Sequence, residues 1–216
     1  ISRESLLKPL NLVAGVVERR QTLPILSNVM LVLEGSELSI TGTDLEVELV
    51  GRVNLEQAPD SGGEITVPAR KLADICKSLP DGSDIQFSLE DQRLIIKSGR
   101  SRFILSCLSA SDFPNVEEGP GNQGFTVTQG VLKRLIDRTS FAMAQQDVRY
   151  YLNGMLWEIR SGQLRLVATD GHRLAVCTLP ADITAEENLQ VILPRKGVIE
   201  LARLLMNENE NVEIVI

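Results

Sequence analysis

Histidine, tryptophan and tyrosine are nearly missing from this chain, with one, one and two residues among 216. A single histidine cannot build a His-rich metal centre, and it leaves one candidate for imidazole acid–base chemistry. The three cysteines, Cys76, Cys107 and Cys177, stand far apart and match no metal-ligand spacing. Their odd number predicts reduced, buried thiols of a cytoplasmic protein, with neither a metal nor a disulfide framework. No run approaches the roughly 18 to 20 apolar residues of a helical membrane span. No glycine loop is placed to cradle a phosphate, because GPGNQG sits in a linker and follows no strand. The opening ISRESLLKPL has neither a leader pattern nor an initiator methionine, so a trimmed N-terminus is expected.

What is present is ordinary globular composition, 43% hydrophobic and 24% charged, with length enough for two domains of roughly 100 to 150 residues. The chain also repeats itself. Lys8 in SLLKPL matches Lys133 in GVLKRL, Asn28 and Met30 match Asn153 and Met155, and Thr43-Asp44 matches Thr169-Asp170. VPARKLADICKSL then matches LPRKGVIELARLL. Read this way the offset is 125 and becomes 126 through one extra residue near Ser161-Gly162. Each copy opens with an amphipathic helix, continues in alternating strands such as Val29-Leu31-Leu33, and carries a second helix with apolar residues at i, i+3, i+4, i+7. Predicted helices cover 3–16, 70–79, 129–142 and 195–205. The expected class is α+β, with domains at 1–120 and 125–216 separated by the Gly- and Pro-rich stretch 109–124, and with all four helices on one side of the sheets. NVEIVI would leave Val212, Ile214 and Ile216 on an open edge, which predicts that the second domain continues.

Charge is unevenly placed. The net charge is −7, yet the four predicted helices hold eleven basic residues (Arg3, Lys8, Arg70, Lys71, Lys77, Lys133, Arg134, Arg138, Arg195, Lys196, Arg203) against Glu4, Asp74, Asp137 and Glu200. They sum to +7, leaving −14 for everything else. A basic helical face without base-reading motifs suits the phosphate backbone, giving salt-sensitive binding indifferent to sequence. The loop MAQQDVRYYLNGM adds amides, Arg149 and Tyr150-Tyr151, and Arg19-Arg20 occupies the equivalent place in the first copy. Tyrosines there either stack on bases or pack in the core. A different reading of the same charge is an acidic repeat scaffold whose basic helical face binds protein partners.

VATDGHRLAV, residues 167–176, holds the lone histidine. An acid–base set would need Asp170, His172 and Asp147 to gather, with an activated nucleophile in reach, and no serine or cysteine stands beside them.

TLPILSN, TGTDLE, VPARK, SGRSRF, SDFPN, QQDVRYYLNGM, TDGHRLAV and PRKGVIEL, in this order over essentially the whole chain, resemble the bacterial replicative sliding clamps, the DNA polymerase III beta subunit family. The resemblance implies a DNA-clamp fold of repeated domains, each with two helices packed on antiparallel sheets, of which the first and most of the second are present and the third is absent. It implies a non-enzymatic, cytoplasmic homodimer without cofactors that closes around double-stranded DNA. Duplex contacts would map to Arg20, Gln146, Arg149, Tyr150, Tyr151, Arg195 and Lys196. Leu152, Thr169, Gly171, His172, Arg173 and Leu174 would help form an apolar pocket for linear motifs of the polymerase III alpha subunit, other polymerases, the clamp loader, mismatch-repair proteins and ligase. Unit one reads Leu45-Glu46-Val47 after its Thr-Asp and should not bind those peptides. A dimer edge would comprise Lys71, Ile75, Arg100, Arg102, Phe103 and Leu105, facing a third domain.

Overall fold

An N-terminal helix, α1 (Arg3–Val13), begins where the Ser2 hydroxyl accepts a hydrogen bond from the Ser5 amide at 3.2 Å, satisfying one of the open donors of a helix start. The structure, a computed structural model, describes residues 1–17, 23–56, 59, 61–114, 121, 123–183 and 188–216. Arg19 and Arg20 lie outside the described residues. The chain divides into two units, 1–117 and 118–216.

In the first unit, strands β1 (Asn28–Glu34), β2 (Glu37–Thr43), β3 (Glu48–Asn54) and β4 (Gly63–Pro68) form an antiparallel sheet in the order β3-β2-β1-β4. Helix α2 (Ala69–Ser78) follows β4 directly, and β5 (Gln86–Glu90), β6 (Arg93–Ser98) and β7 (Ser101–Ser106) make a second sheet. The helices touch each other and lie on one face of the four-stranded sheet. Leu6, Leu10, Leu72 and Cys76 from the helices close on Val29, Ile40 and Ile96 from the strands, all fully buried. Helix and sheet approach closely because two strand residues lack side chains. A Cβ at Gly42 would stand 2.7 Å from Val13, and one at Gly51 would stand 2.7 Å from the Pro9 ring.

The second unit repeats the plan. Strand β8 (Gly124–Thr128) leads into α3 (Gln129–Thr139), capped by the Thr128 hydroxyl. Strands β9 (Gly154–Arg160), β10 (Gln163–Thr169), β11 (Leu174–Pro180) and β12 (Leu189–Pro194) form the sheet β11-β10-β9-β12, followed by α4 (Arg195–Leu204) and by β13 (Asn211–Val215), which pairs with β8. Leu132, Leu135, Met155, Ile159, Leu164 and Val198 form its core. Helices α2 and α4 fall within one residue of their expected bounds. Helix α1 stops at Val13 and not at 16, and α3 stops at Thr139 and continues as a 3-10 turn, Ser140–Ala142.

The strand register corrects the repeat offset. Asn28 pairs with Pro68 and Gly154 with Pro194, so Asn28 matches Gly154, and the offset is 126 in the first strands as in the second helices. The capping residues Ser2 and Thr128 carry the same offset back to the first helices. No extra residue enters near Ser161-Gly162, since both hairpin turns have equal length. Met30 and Met155 are therefore not counterparts. Met155 is fully buried under the helices, whereas Met30 packs on the opposite face against Ile25, Leu26 and Phe113. A one-residue slip in a strand exchanges its two faces, which is why matching letters misled. Under the corrected register, basic residues superpose as Lys8 with Arg134, Arg70 with Lys196, and Lys77 with Arg203.

The glycine contacts give a stability test. Gly51→Val should destabilise the protein by about 1 to 3 kcal/mol through forced separation of α1 from β3. Gly63→Ala, which meets nothing within 4 Å, should leave the urea midpoint in place.

Candidate functional site

Both units close the hairpin after their second strand with the same hydrogen bonds. In the first, the Thr43 hydroxyl donates to the Val47 carbonyl (3.0 Å) and accepts from the Leu45 amide (3.0 Å), while the Asp44 carboxylate accepts from the amides of Glu46 (3.0 Å) and Val47 (2.8 Å). In the second, Thr169 donates to the Arg173 carbonyl (2.7 Å) and accepts from the Gly171 amide (3.1 Å), and Asp170 accepts from the amides of His172 and Arg173, both at 3.0 Å. The Thr-Asp pair thus serves the turn: side-chain oxygens replace missing sheet partners. Asp170 also takes the Arg173 Nε at 2.9 Å, and these bonds hold its carboxyl below the usual range. A carboxylate so engaged is a structural acceptor.

The residue after each aspartate has positive φ, +80° at Leu45 and +87° at Gly171. Leucine is strained there and glycine is not.

The loop 143–153 is stitched to the second unit from several sides. The Ala144 amide donates to the Leu152 carbonyl (3.1 Å), the Arg195 amide to the Asn153 carbonyl (2.9 Å), and Arg195 Nη1 to the Met143 carbonyl (3.2 Å). Arg195 and Lys196, in the first turn of α4, are therefore held beside the loop. Asn153 fastens Asp147 twice, accepting from its amide and donating to its carbonyl, both at 2.9 Å. Asp147 in turn accepts from Arg149 at its amide (2.8 Å), Nε (3.0 Å) and Nη2 (2.9 Å). These bonds from Arg149 depress the Asp147 carboxyl to about 2. Gln146 is exposed at φ +55°. Tyr150 and Tyr151 are 82% and 51% exposed and meet edge to face at 5.9 Å, so neither is core packing.

Five of the six residues expected to flank the turn in the second unit come from Thr169 onward, with Gly171, His172, Arg173 and Leu174 exposed and Leu152 half-buried. The Arg173 guanidinium lies 5.7 Å over the exposed Phe141 ring, which the sequence reading did not single out. It also missed an apolar row on the sheet face away from the helices: Ile192, Leu156, Val167 and Val176 are cross-strand neighbours, and Ile192 and Val176 are half exposed. Part of the signal was there, since Leu156 and Val167 are apolar at the phase opposite the buried Met155, Trp157, Leu166 and Ala168. The first unit has Thr66, Met30, Thr41 and Val50 in that row, and there Ile25, Leu26 and Phe113 cover Met30.

The helical charge is less uniformly displayed than counting suggested. Arg3 is turned inward, 14% exposed, bonded to Asp81 (2.7 Å), Glu4 (3.0 Å) and the Cys76 carbonyl (2.8 Å). It joins α1 to the segment after α2 and adds nothing to a basic face. Arg203 is paired with the buried Glu200 at 2.7 Å. Lys8, Arg70, Lys71, Lys77, Arg134 and Arg138 are exposed. The three cysteines are free and buried, and burial pushes the Cys76 thiol up to about 11. Among the described residues no group of His, Cys, Asp and Glu converges as metal ligands, and no helix is long and apolar enough to cross a membrane.

Comparison with known proteins places this geometry. The family model described as DNA polymerase III beta subunit, N-terminal domain, matches residues 1–117, and that of the central domain matches 126–216. The chain belongs to the DNA polymerase III beta subunit family. It is 68% identical over 216 residues to the beta sliding clamp of Pseudomonas aeruginosa and 55% identical over 205 residues to that of Escherichia coli. All of this chain is covered in the first case and 95% in the second, but only 59% and 56% of those relatives. The crystal structure of the Pseudomonas aeruginosa beta subunit superposes with TM-score 0.96 at 66% identity over the full chain and 58% of that protein. Caulobacter crescentus pol III beta gives 0.91 at 43% identity, over 99% of this chain and 60% of that one. The fold is thus that of these clamps, α+β with antiparallel sheets.

Of the residues the family resemblance assigned to a subunit edge, Arg100 and Arg102 are exposed, and β7 has β6 as its one sheet neighbour among the described strands. Lys71 is exposed on α2, which touches β7. Phe103 and Ile75 are half-buried against the first core, and Leu105, at 6% exposure, belongs to it. Leu105 can therefore serve an edge only through its main chain. Its outward neighbour Ile104, 48% exposed, is the side chain available there.

Two measurements follow from the turns and the loop. Leu45→Gly should raise unfolding free energy by about 1 kcal/mol through relief at positive φ, while Gly171→Leu should lower it by about 1 to 3 kcal/mol. An aspartate whose pKa falls on folding stabilises above its ordinary 3.8, and the contribution disappears as pH drops toward 2. Tyr150 and Tyr151 ring resonances should thus shift across that acid window in the wild type and not in Asp147→Asn.

Proposed function

We propose that this chain forms part of a ring-shaped processivity factor of the bacterial cytoplasm that encircles duplex DNA and tethers the replicative polymerase and other partners through the turn at 169–174. It performs no catalysis itself. What supports the reading is that the loop carrying Gln146, Arg149, Tyr150 and Tyr151 is hydrogen-bonded through Met143 and Asn153 to Arg195, which opens α4 next to Lys196, within a protein of this family. Arg195 and Lys196, like Arg70 and Lys71, stand in the first turn of a helix with no acidic residue there. Cations at that end oppose the helix dipole and lower stability by a few tenths of a kcal/mol each. Placed together with the dipole, they concentrate positive potential where a polyanion would gain most. Few such contacts address a base edge, so a threaded duplex can translate.

The peptide site fits Leu174 and Leu152 with the apolar row beginning at Val176. Partners of the whole protein are the polymerase III alpha subunit, other polymerases, the clamp loader, mismatch-repair proteins and ligase, all through short linear motifs. The second half of the dimer would meet the first unit along β7.

A ring and a surface binder behave differently on DNA ends. Full-length protein loaded on plasmid should remain through a high-salt wash when the plasmid is circular and leave when it is linearised. Equal loss from both would reject encirclement and favour a patch binder, and retention on neither with retention of acidic proteins would favour the scaffold. For the pocket, His172→Ala and Leu174→Ala should each weaken a Gln-Leu-type apolar peptide by about tenfold, a hot-spot effect near 1.4 kcal/mol, in fluorescence anisotropy. Unaltered binding would remove these residues from the site.

A further inference from the structure

Arg149 and Gly171 belong to different parts of the proposed function, the duplex-facing loop and the peptide-facing turn, and the structure puts one on top of the other. A Cβ added at Gly171 would stand 3.0 Å from Arg149 Nη2 and 3.3 Å from Nη1. A Cβ there would make the guanidinium give by a few tenths of an ångström, so glycine lets it lie closest to the turn. What holds the guanidinium there is Asp147, which takes Nε and Nη2 with its two carboxylate oxygens and is itself fixed at main-chain amide and carbonyl by Asn153. A two-point grip fixes a guanidinium plane as well as its position.

We propose that Asp147 is a positioning residue that lays Arg149 across Gly171, and that through this contact the duplex-facing loop and the peptide-binding turn are energetically coupled. The inference rests on the proposed function and adds to it a dependence of one ligand on the other. Arg149 is half exposed at its side chain, so a backbone phosphate can reach it. A phosphate taking the same fork of N–H donors competes with the Asp147 carboxylate and draws the guanidinium off the turn. The turn then loses the side chain that packs on its glycine, and the peptide site next to it loses a wall. Coupling of this kind is reciprocal, so a bound peptide must weaken the duplex by the factor with which the duplex weakens the peptide.

The first unit lacks the device. At the offset of 126 its counterparts of Asp147, Arg149 and Gly171 are Gln21, Leu23 and Leu45, with neither the ion pair nor the glycine.

The test uses the full-length protein, a fluorescein-labelled Gln-Leu-type apolar peptide and a short duplex of arbitrary sequence at low salt. In the wild type, saturating duplex should raise the peptide Kd about fivefold, at the low end of usual coupling factors, and saturating peptide should raise the duplex Kd equally. Asp147→Asn should bind duplex more tightly and peptide more weakly than wild type, and the cross-effect should vanish; opposite signs of this kind are not produced by general loosening of the fold. Arg149→Lys, which keeps the charge without the fork, should also lose the cross-effect. Wild-type protein that binds both ligands with neither moving the other overturns the coupling and leaves the proposed function standing, as does a full cross-effect in Asp147→Asn. Wild-type protein that fails to bind one of the two ligands overturns the proposed function and the coupling with it.

Discussion

The hydrogen bonds that one aspartate carboxylate accepts from the amides of a four-residue turn, and those its neighbouring threonine hydroxyl makes there, are what the site in the second unit depends on. They replace the ladder where β10 leaves the sheet, and they force the next residue into the left-handed region. With glycine there, the turn leaves a bare backbone surface on which a guanidinium can lie. With leucine there, as in the first unit, the same bonds form and the surface is occupied by a side chain 56% exposed. One duplicated turn therefore gives two outcomes, decided by whether a Cβ follows the aspartate.

The same economy governs the opposite face of the sheet. Each unit has a row of four cross-strand residues turned from the helices. In the first it is mixed, Thr66-Met30-Thr41-Val50, and Ile25, Leu26 and Phe113 close over its methionine. In the second it is Ile192-Leu156-Val167-Val176 and stays partly open beside Leu174. Exposed apolar residues scattered singly carry little meaning, but a contiguous row next to a shaped turn is what a short apolar ligand requires. Helix charge adds a second feature, because Arg195 and Lys196 stand in the first turn of α4, where the dipole disfavours cations.

Much of this was legible in the letters. Apolar spacing located all four helices, since amphipathic periodicity survives any uncertainty about neighbours. The repeat and the Thr-Asp pair were visible as strings. What failed were the properties that depend on strand phase and on partners distant in sequence. Asn28 and Asn153 look equivalent and are one residue out of register, which made Met30 and Met155 look like counterparts although they lie on opposite faces. Arg3 counts as surface charge until Asp81 and the Cys76 carbonyl are seen to hold it. On the strand that holds Leu105, the structure turns the Leu105 side chain into the core and leaves Ile104 outward. Alternation says that neighbours part ways, not which of them faces in.

Asp147 illustrates the limit most plainly. As a letter in QQDVRYY it invited an acid–base reading with His172, because aspartate and histidine near each other suggest catalysis. Its geometry gives both carboxylate oxygens to Arg149, and its main chain is held by Asn153. A carboxylate that saturated with donors is a poor base, and its pKa near 2 follows from the same bonds. The features that disqualify it as a proton acceptor are those that make it a rigid anchor for a cation. An anchored cation, half exposed and lying over a glycine, is a positive charge fixed in place at the surface.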